Sequence, residues 1–194
     1  MNNAGIRDEA RYNLGNNLFC EKWLMAMVSI LVASLVLSAL SFTFVGSLIV
    51  MGPLMVGLSG AFLNASRYDK AVDLGEMFSL AFSQNFVRNM VLGILESIFI
   101  SLWSLLFVIP GIMKAYSYSM AMFIAHDHPE YDWKRCLDES TAMMNGHRMD
   151  LFLLDLSFIG WMILGSLACG IGTLWVAPYQ FQSRVVFYRR MVNG

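Results

Sequence analysis

The stretch WLMAMVSILVASLVLSALSFTFVGSLIVMGPLMVGLSGAFLNAS, residues 23–66, contains no Asp, Glu, Lys, Arg or His. A membrane-crossing helix needs ~20 apolar residues, and a soluble core helix keeps a polar face. The stretch is too long for one crossing and suits two, joined by a tight uncharged turn. It fixes the solvent of the chain, which is a bilayer. Composition points the same way. Hydrophobic residues make up 57% and charged residues 14% of the chain, whereas soluble domains sit near ~45–50% and ~25%. The formal net charge of -1 gives no electrostatic case for nucleic acid. The length suits one membrane domain, residues 1–194, with no separate soluble part.

Working outward, Ile6, Ala10, Leu14 and Leu18 recur every fourth residue. This spacing predicts an amphipathic helix over 4–19, lying on the membrane surface. Arg7, Arg11 and Lys22 are mixed with acids there, and the apolar run that follows far exceeds a signal-peptide core. The first span is therefore expected to stay as an anchor. Asp73-Leu-Gly-Glu76 reads as a capping box. Behind it Leu74, Met77, Phe78, Ala81, Phe82 and Phe86 form a stripe, predicting a second amphipathic helix over 73–88. Trp133, Cys136, Leu137, Ser140 and Met144 predict a third over 132–147.

Apolar segments place spans at 23–43, 46–66, 89–107, 112–125, 151–168 and 173–187. Pro110-Gly111 and Gly170-Ile-Gly172 turn the chain, and Pro53, Pro110 and Pro178 punctuate the second span of each pair. All six residues read as structural turns. The fold class is all-α integral membrane: six transmembrane helices as three helical hairpins, with amphipathic helices on the cytoplasmic face. The order recurs three times. Asp8-Glu9 before Leu14-Gly15-Asn16 also resembles Asp138-Glu139 before Met144-Asn145-Gly146, as an internal repeat would. Twelve of the 13 Lys and Arg lie in or next to the N-terminus, the two polar breaks and the C-terminus, and the three tight turns hold none. The positive-inside rule then puts both termini in the cytoplasm of a bacterial, multi-pass cell-membrane protein.

Four ionisable residues fall inside spans: Glu96, Lys114, Asp155 and Arg184. Intramembrane charges are costly and default to a functional hypothesis. Asp155 and Arg184 lie about one turn from the cytoplasmic ends of their spans, which suits an interfacial pair or snorkelling chains. Glu96 is deeper, roughly 12 Å beyond Arg88 at ~1.5 Å per residue. With Lys114, Tyr116 and Tyr118 it forms the candidate intramembrane polar site. Three readings stay open: Lys114 snorkels alone, Glu96 and Lys114 make a buried pair, or both line a path for a proton or solute. His126, Asp127, His128 and Glu130 lack convergent partners apart from His147, and a helix-terminating turn explains them as well as a metal does. No metal, cofactor or catalytic residue is assigned. No nucleophile–base pair or known catalytic motif occurs, and Cys20, Cys136 and Cys169 are too widely spaced for a zinc or disulfide framework. Gly52, Gly57, Gly60, Ala61, Gly160, Gly165 and Ser166 allow close helix approach, within the chain or in a homo-oligomer. Besides the lipid bilayer, the expected partners are a membrane or cytoplasmic protein.

The segment Trp103-Ser-Leu-Leu-Phe-Val-Ile-Pro-Gly-Ile-Met-Lys-Ala-Tyr-Ser-Tyr-Ser-Met120 resembles a bacterial integral-membrane family called domain of unknown function 975. So do Asp127-His-Pro129, Ser140 to Gly146, Leu156-Ser-Phe-Ile-Gly-Trp161, Gly170 to Tyr179 before Phe187-Tyr188, and Arg11-Tyr-Asn-Leu14. The resemblance runs over nearly the whole chain. It implies a multi-span protein with Lys114 in a family pattern, and it implies no activity. Two functional expectations follow. One is non-enzymatic handling or transport of a small solute, lipid or peptide through polar residues of spans three and four. The alternative is a scaffold or accessory subunit whose amphipathic helices bind a partner, with a membrane-embedded enzyme behind both.

Overall fold

A computed structural model describes residues 3–15, 20–40, 44–83, 85–106, 108–167 and 171–193, and all regular structure there is helical. The helices are α1 (Asn3–Asn13), α2 (Glu21–Leu40), α3 (Phe44–Tyr68), α4 (Leu74–Ala81), α5 (Phe86–Leu106), α6 (Val108–Tyr118), α7 (Ala121–Asp127), α8 (Trp133–Met143), α9 (Arg148–Leu167) and α10 (Ile171–Asn193). Four contain segments long and apolar enough to cross a membrane: Glu21–Ala39, Ile49–Tyr68, Phe86–Ser104 and Arg148–Ser166. Leu18 and Gly170 fall outside the described residues. On α9, Leu156, Ile159, Trp161, Ile163 and Leu164 are 46–62% exposed. Such an apolar band is foreign to a soluble monomer and suits hydrocarbon as solvent.

Where one membrane domain is expected, the chain groups into two compact units. One comprises Met1–Val32, Ala61–Leu74 and Met149–Gly194, the other Ala33–Gly60 and Gly75–Arg148.

In the first unit α1 packs along α10. Ile6 and Ala10 are fully buried and Leu14 nearly so. Polar ties fix the roll of α1 about this stripe. Arg190 Nη2 donates to Glu9 Oε2 at 2.6 Å and to the Gly5 carbonyl at 3.0 Å, and Tyr179 Oη donates to the Arg7 carbonyl at 3.2 Å. The stripe of α1 is therefore covered by protein, which corrects the expectation of a helix laid on lipid through that face. Periodicity shows that a face is apolar, not what covers it. Arg189 Nη1 donates to the Ser66 carbonyl at 3.1 Å and to Ser66 Oγ at 2.7 Å, stitching α10 to the last turns of α3. On α2, Trp23, Ala26, Ser29 and Ala33 make one buried stripe while Leu31 and Leu35 are exposed.

In the second unit α3 approaches its neighbours through glycines. A Cβ on Gly52 would strike the Asn89 carbonyl of α5, one on Gly57 the Met77 carbonyl and Ala81 of α4, and one on Gly60 the His126 ring of α7. Pro53, beside the first of these, lies inside α3, as Pro178 lies inside α10. Neither marks a turn. Proline within an apolar helix is tolerated where neighbours enclose the freed backbone group. Pro110 and Gly111 likewise sit in the first turn of α6, where proline costs no hydrogen bond. Bare backbone at Gly111 lets α6 close on Ser104 of α5.

The span expected at 112–125 is not one helix. It breaks between α6 and α7, and Ser140 of α8 sits at the break. Its fully buried hydroxyl donates to the Ser117 carbonyl at 2.7 Å and accepts from the Met120 amide at 3.2 Å. One side chain thus satisfies an orphan acceptor at the end of α6 and a donor at the start of α7. Ser140→Ala strands both groups, and the expected loss is about 2 kcal/mol. It would be read as a lower unfolding midpoint in detergent, with Ser140→Thr retaining most of the stability. An unchanged midpoint in Ser140→Ala would mean that water replaces the hydroxyl.

The three amphipathic helices share one device. Each buries a residue and, four later, a small one: Ile6 and Ala10, Met77 and Ala81, Cys136 and Ser140. The small member admits a close neighbour, Gly57 at Ala81 and the α6–α7 break at Ser140. Leu14 and Met144, four further on, are also buried, and Gly15 and Gly146 both take positive φ, +96° and +85°. Gly15 takes the left-handed conformation usual just after a helix, and Gly146 takes it in the turn between α8 and α9.

Candidate functional site

Glu96 is the eleventh residue of the 21 in α5, about 15 Å from either end at ~1.5 Å per residue. Three contacts set how α6 runs antiparallel to α5. Phe99 and Tyr118 have ring centroids 6.4 Å apart, Lys114 Nζ lies 5.4 Å from the Trp103 ring centroid, and Ser104 abuts Gly111. Glu96, one turn before Phe99, therefore stands level with the α6–α7 break. Lys114 stands level with Trp103, seven residues on, roughly 10 Å further along the axis.

The structure does not join the two charges. Lys114 Nζ sits between aromatic faces, with the Tyr118 centroid 5.6 Å away, so its charge is met by ring quadrupoles. Among the described residues, Glu96 has no hydrogen-bond partner on its buried Oε2. Tyr118 belongs with Lys114, four residues away on the same face. Tyr116, two residues from each, is on another face of α6. Spacing on α5 could have shown Phe99 and Trp103 beside Glu96, since i, i+3 and i+7 share a face.

Asp155 and Arg184 are brought together. Arg184 Nη2 donates to Asp155 Oδ2 at 2.7 Å and Nε to Oδ1 at 3.2 Å, a two-pronged pair. Gln180 Nε2 adds a third donor to Oδ1 at 3.1 Å. The carboxylate is only 12% exposed and is met by three N–H groups. Gln180 was legible as the residue one turn before Arg184 on α10. Near the α9–α10 turn, Gly165 and Gly172 meet backbone to backbone.

The second unit holds a further polar centre that sequence patterns do not announce. The Arg88 guanidinium donates to the carbonyls of Ala125 (2.7 Å), His128 (3.1 Å), Pro129 (2.6 Å) and Tyr131 (3.2 Å). Its Nε and Nη2 also reach Asn89 Oδ1, at 3.1 and 2.8 Å. A cation here satisfies carbonyls at the end of α7 and suits the negative pole of that helix. His128 stacks on Tyr131 at 4.3 Å, and Arg135 lies over Tyr131 at 3.9 Å. The Glu130 carboxyl is lowered from its ordinary range, first by its own backbone amide and then by His128. Burial raises the Cys136 thiol, which makes it a poor nucleophile at neutral pH. His126 meanwhile faces Gly60, so His126 and His128 serve different neighbours. Among the described residues no group of His, Cys, Asp and Glu is arranged to hold a metal ion.

No curated protein and no solved structure matches the chain. Residues 105–193 match the family described as "Protein of unknown function (DUF975)". The match takes in Pro110, Lys114, Tyr118, Ser140, Asp155 and Arg184, and leaves out Glu96 and the Arg11 to Leu14 segment. It covers just under half of the chain, less than the near-complete resemblance expected from the motifs. From α6 through α10 the chain therefore carries the pattern of the DUF975 family, the family that its own motifs resemble.

Proposed function

We propose that the chain crosses a bacterial cell membrane six times, as three hairpins each preceded by an amphipathic helix, with both termini in the cytoplasm. It handles or transports a small solute, lipid or peptide through the polar residues of α5 and α6. Four helices already meet the length and hydropathy of a span. The fifth crossing is the broken pair α6–α7, and the sixth is α10, whose 23 residues reach about 35 Å. A span interrupted opposite a polar residue is a common way to build a midplane site.

The observation that carries the reading is Glu96. A carboxyl at mid-helix with no partner on its buried oxygen contributes nothing evident to packing and is expensive in hydrocarbon. A ligand accounts for such a group better than the fold does. The alternative, a scaffold whose cytoplasmic helices bind a partner, draws on the exposed charged face of α8 with Asp138 and Glu139.

Placement is tested by membrane-impermeant thiol labelling in a background lacking native cysteines. A cysteine at Gly46 is expected to label from outside the cell and one at Asp69 only after permeabilisation; the reverse pattern overturns the orientation. Function is tested by screening solutes for stabilisation of the purified protein. A solute that raises the unfolding midpoint of wild type and not of Glu96→Gln supports the transport reading. A stoichiometric protein partner that co-purifies equally with Glu96→Gln, and is lost on charge reversal at Asp138 and Glu139, supports the scaffold.

A further inference from the structure

Glu96 and Asp155 are two carboxyl groups inside apolar helices, and their surroundings are opposite. Asp155 has Arg184 on both oxygens and Gln180 on one. Glu96 has no partner on its buried Oε2. Among the described residues, the elements packed against α5 supply no substitute. On α7 the ionisable groups are His126, whose ring faces Gly60, and Asp127, the last residue of that helix. On α6 the ionisable groups are Lys114, Tyr116 and Tyr118; Lys114 is held by Trp103 and Tyr118, about 10 Å further along the axis from Glu96. On α8 they are Lys134, Arg135, Cys136, Asp138 and Glu139. Arg135 is engaged with Tyr131, and the buried Cys136 faces the Arg88 end of α5. The part of α3 that meets α5 through Gly52 has no ionisable residue. On α5 itself, Ser97 donates its hydroxyl back to the Gly93 carbonyl at 2.8 Å, and Arg88 is spent on the end of α7.

We infer that Glu96 is a proton-binding site within the bilayer: a carboxyl that holds a proton at neutral pH and can be reached by apolar reagents from the lipid phase. An unpaired carboxylate in hydrocarbon lacks any compensation for lost hydration, and the group neutralises instead. Glu96 as a residue is half-buried rather than buried, so part of its side chain reaches the surface of α5 although Oε2 is covered. The inference rests on the placement of α5 across the bilayer proposed above and on no transport activity.

The test is reaction with dicyclohexylcarbodiimide in native membranes, followed by digestion and mass mapping. The carboxyl proton passes to a carbodiimide nitrogen and the carboxylate oxygen adds to the central carbon. The acyl group then migrates to nitrogen, giving a stable N-acylurea. Nothing leaves, so the peptide gains the whole reagent mass. An ionised carboxylate lacks the proton that begins the sequence. Glu96 is expected to be labelled more than about tenfold faster than Asp155, whose oxygens are engaged by Arg184 and Gln180. Glu96→Gln should abolish the adduct at that peptide. Arg184→Gln should bring Asp155 into reaction while leaving Glu96 as reactive as before.

Absence of a Glu96 adduct, or equal labelling of Glu96 and Asp155 in the wild-type chain, overturns the inference. Both readouts use wild-type protein, so misfolding of a variant cannot mimic them. If cysteine labelling places α5 across the membrane and Glu96 stays unmodified, the proton site fails while the membrane reading stands. If the cysteine pattern itself is reversed, the membrane orientation fails first.

Discussion

Replacing Arg88 by methionine is expected to cost about 3–4 kcal/mol of stability, because four carbonyls and the Asn89 amide oxygen lose a charged donor together. The sum of the separate hydrogen bonds would be larger. Some carbonyls of the 128–131 turn lie near the surface and regain water, which lowers the net loss. Ala125 lies in the buried part of α7 and does not. The damage should be local before it is global: amides of α7 and the following turn should exchange faster with deuterium, while those of α1 and α10 should not. Arg88→Lys should restore only part of the stability, since an ammonium cannot present the planar fork that reaches several acceptors at once. Arg135→Ala serves as the contrast. It removes a cation from the face of Tyr131 and is expected to cost only ~0.5–1 kcal/mol. Equal losses at the two arginines would show that the Arg88 network is ordinary surface charge.

Arg88 also shows where reading a sequence stops. Charge-free length and stripe spacing are local signals, and they located the apolar stretches and the buried stripes of α1, α4 and α8, though the helix expected over 73–88 ends at Ala81 and Phe86 already belongs to α5. The partners of Arg88 are backbone carbonyls some 40 residues away, and no side-chain pattern marks a carbonyl as unpaired. The same limit applies to Ser140. Its place on a buried stripe was legible, but the break it bridges was not, because residues 112–125 contain neither proline nor glycine and give no sign of interruption. Lys114 differs again. Opposite charges on adjacent helices suggest a pair, yet register decides whether they meet. Register came from Phe99, Trp103, Ser104 and Gly111, which are informative only once α5 and α6 are known to pack.

The charge-free stretch at 23–66 invites one role for both its helices, and the structure gives them two. About two thirds of the apolar window of α3 is buried, against 22% for α2. A helix that is hydrophobic all round can face lipid or lie at a core, and hydropathy does not separate these. Small residues do. Those of α3 repeat at Gly52, Gly57, Gly60 and Ala61 and allow backbone contact, whereas the exposed side of α2 carries Leu31 and Leu35.

The decisive position on that face is Gly52. A Cβ there meets the Asn89 carbonyl carbon at 3.1 Å and the Gly93 Cα at 3.1 Å, with the carbonyl oxygen closer still. These are backbone atoms of α5, so no rotamer change relieves them, and α3 and α5 must separate. Gly52→Ala is therefore expected to cost about 3 kcal/mol, at the upper end of overpacking losses, and Gly52→Leu should prevent accumulation of folded protein. Gly160 on α9 is the matched control. Nothing lies within 4 Å of a Cβ built there, and alanine is the better helix former by roughly 1 kcal/mol. Gly160→Ala should therefore leave the unfolding midpoint unchanged or raise it. A neutral Gly52→Ala would mean that α3 and α5 do not cross at this point. The register of α3 against α5 would then have to be redrawn, while that of α6 against α5, which rests on Phe99, Trp103 and Ser104, would stand.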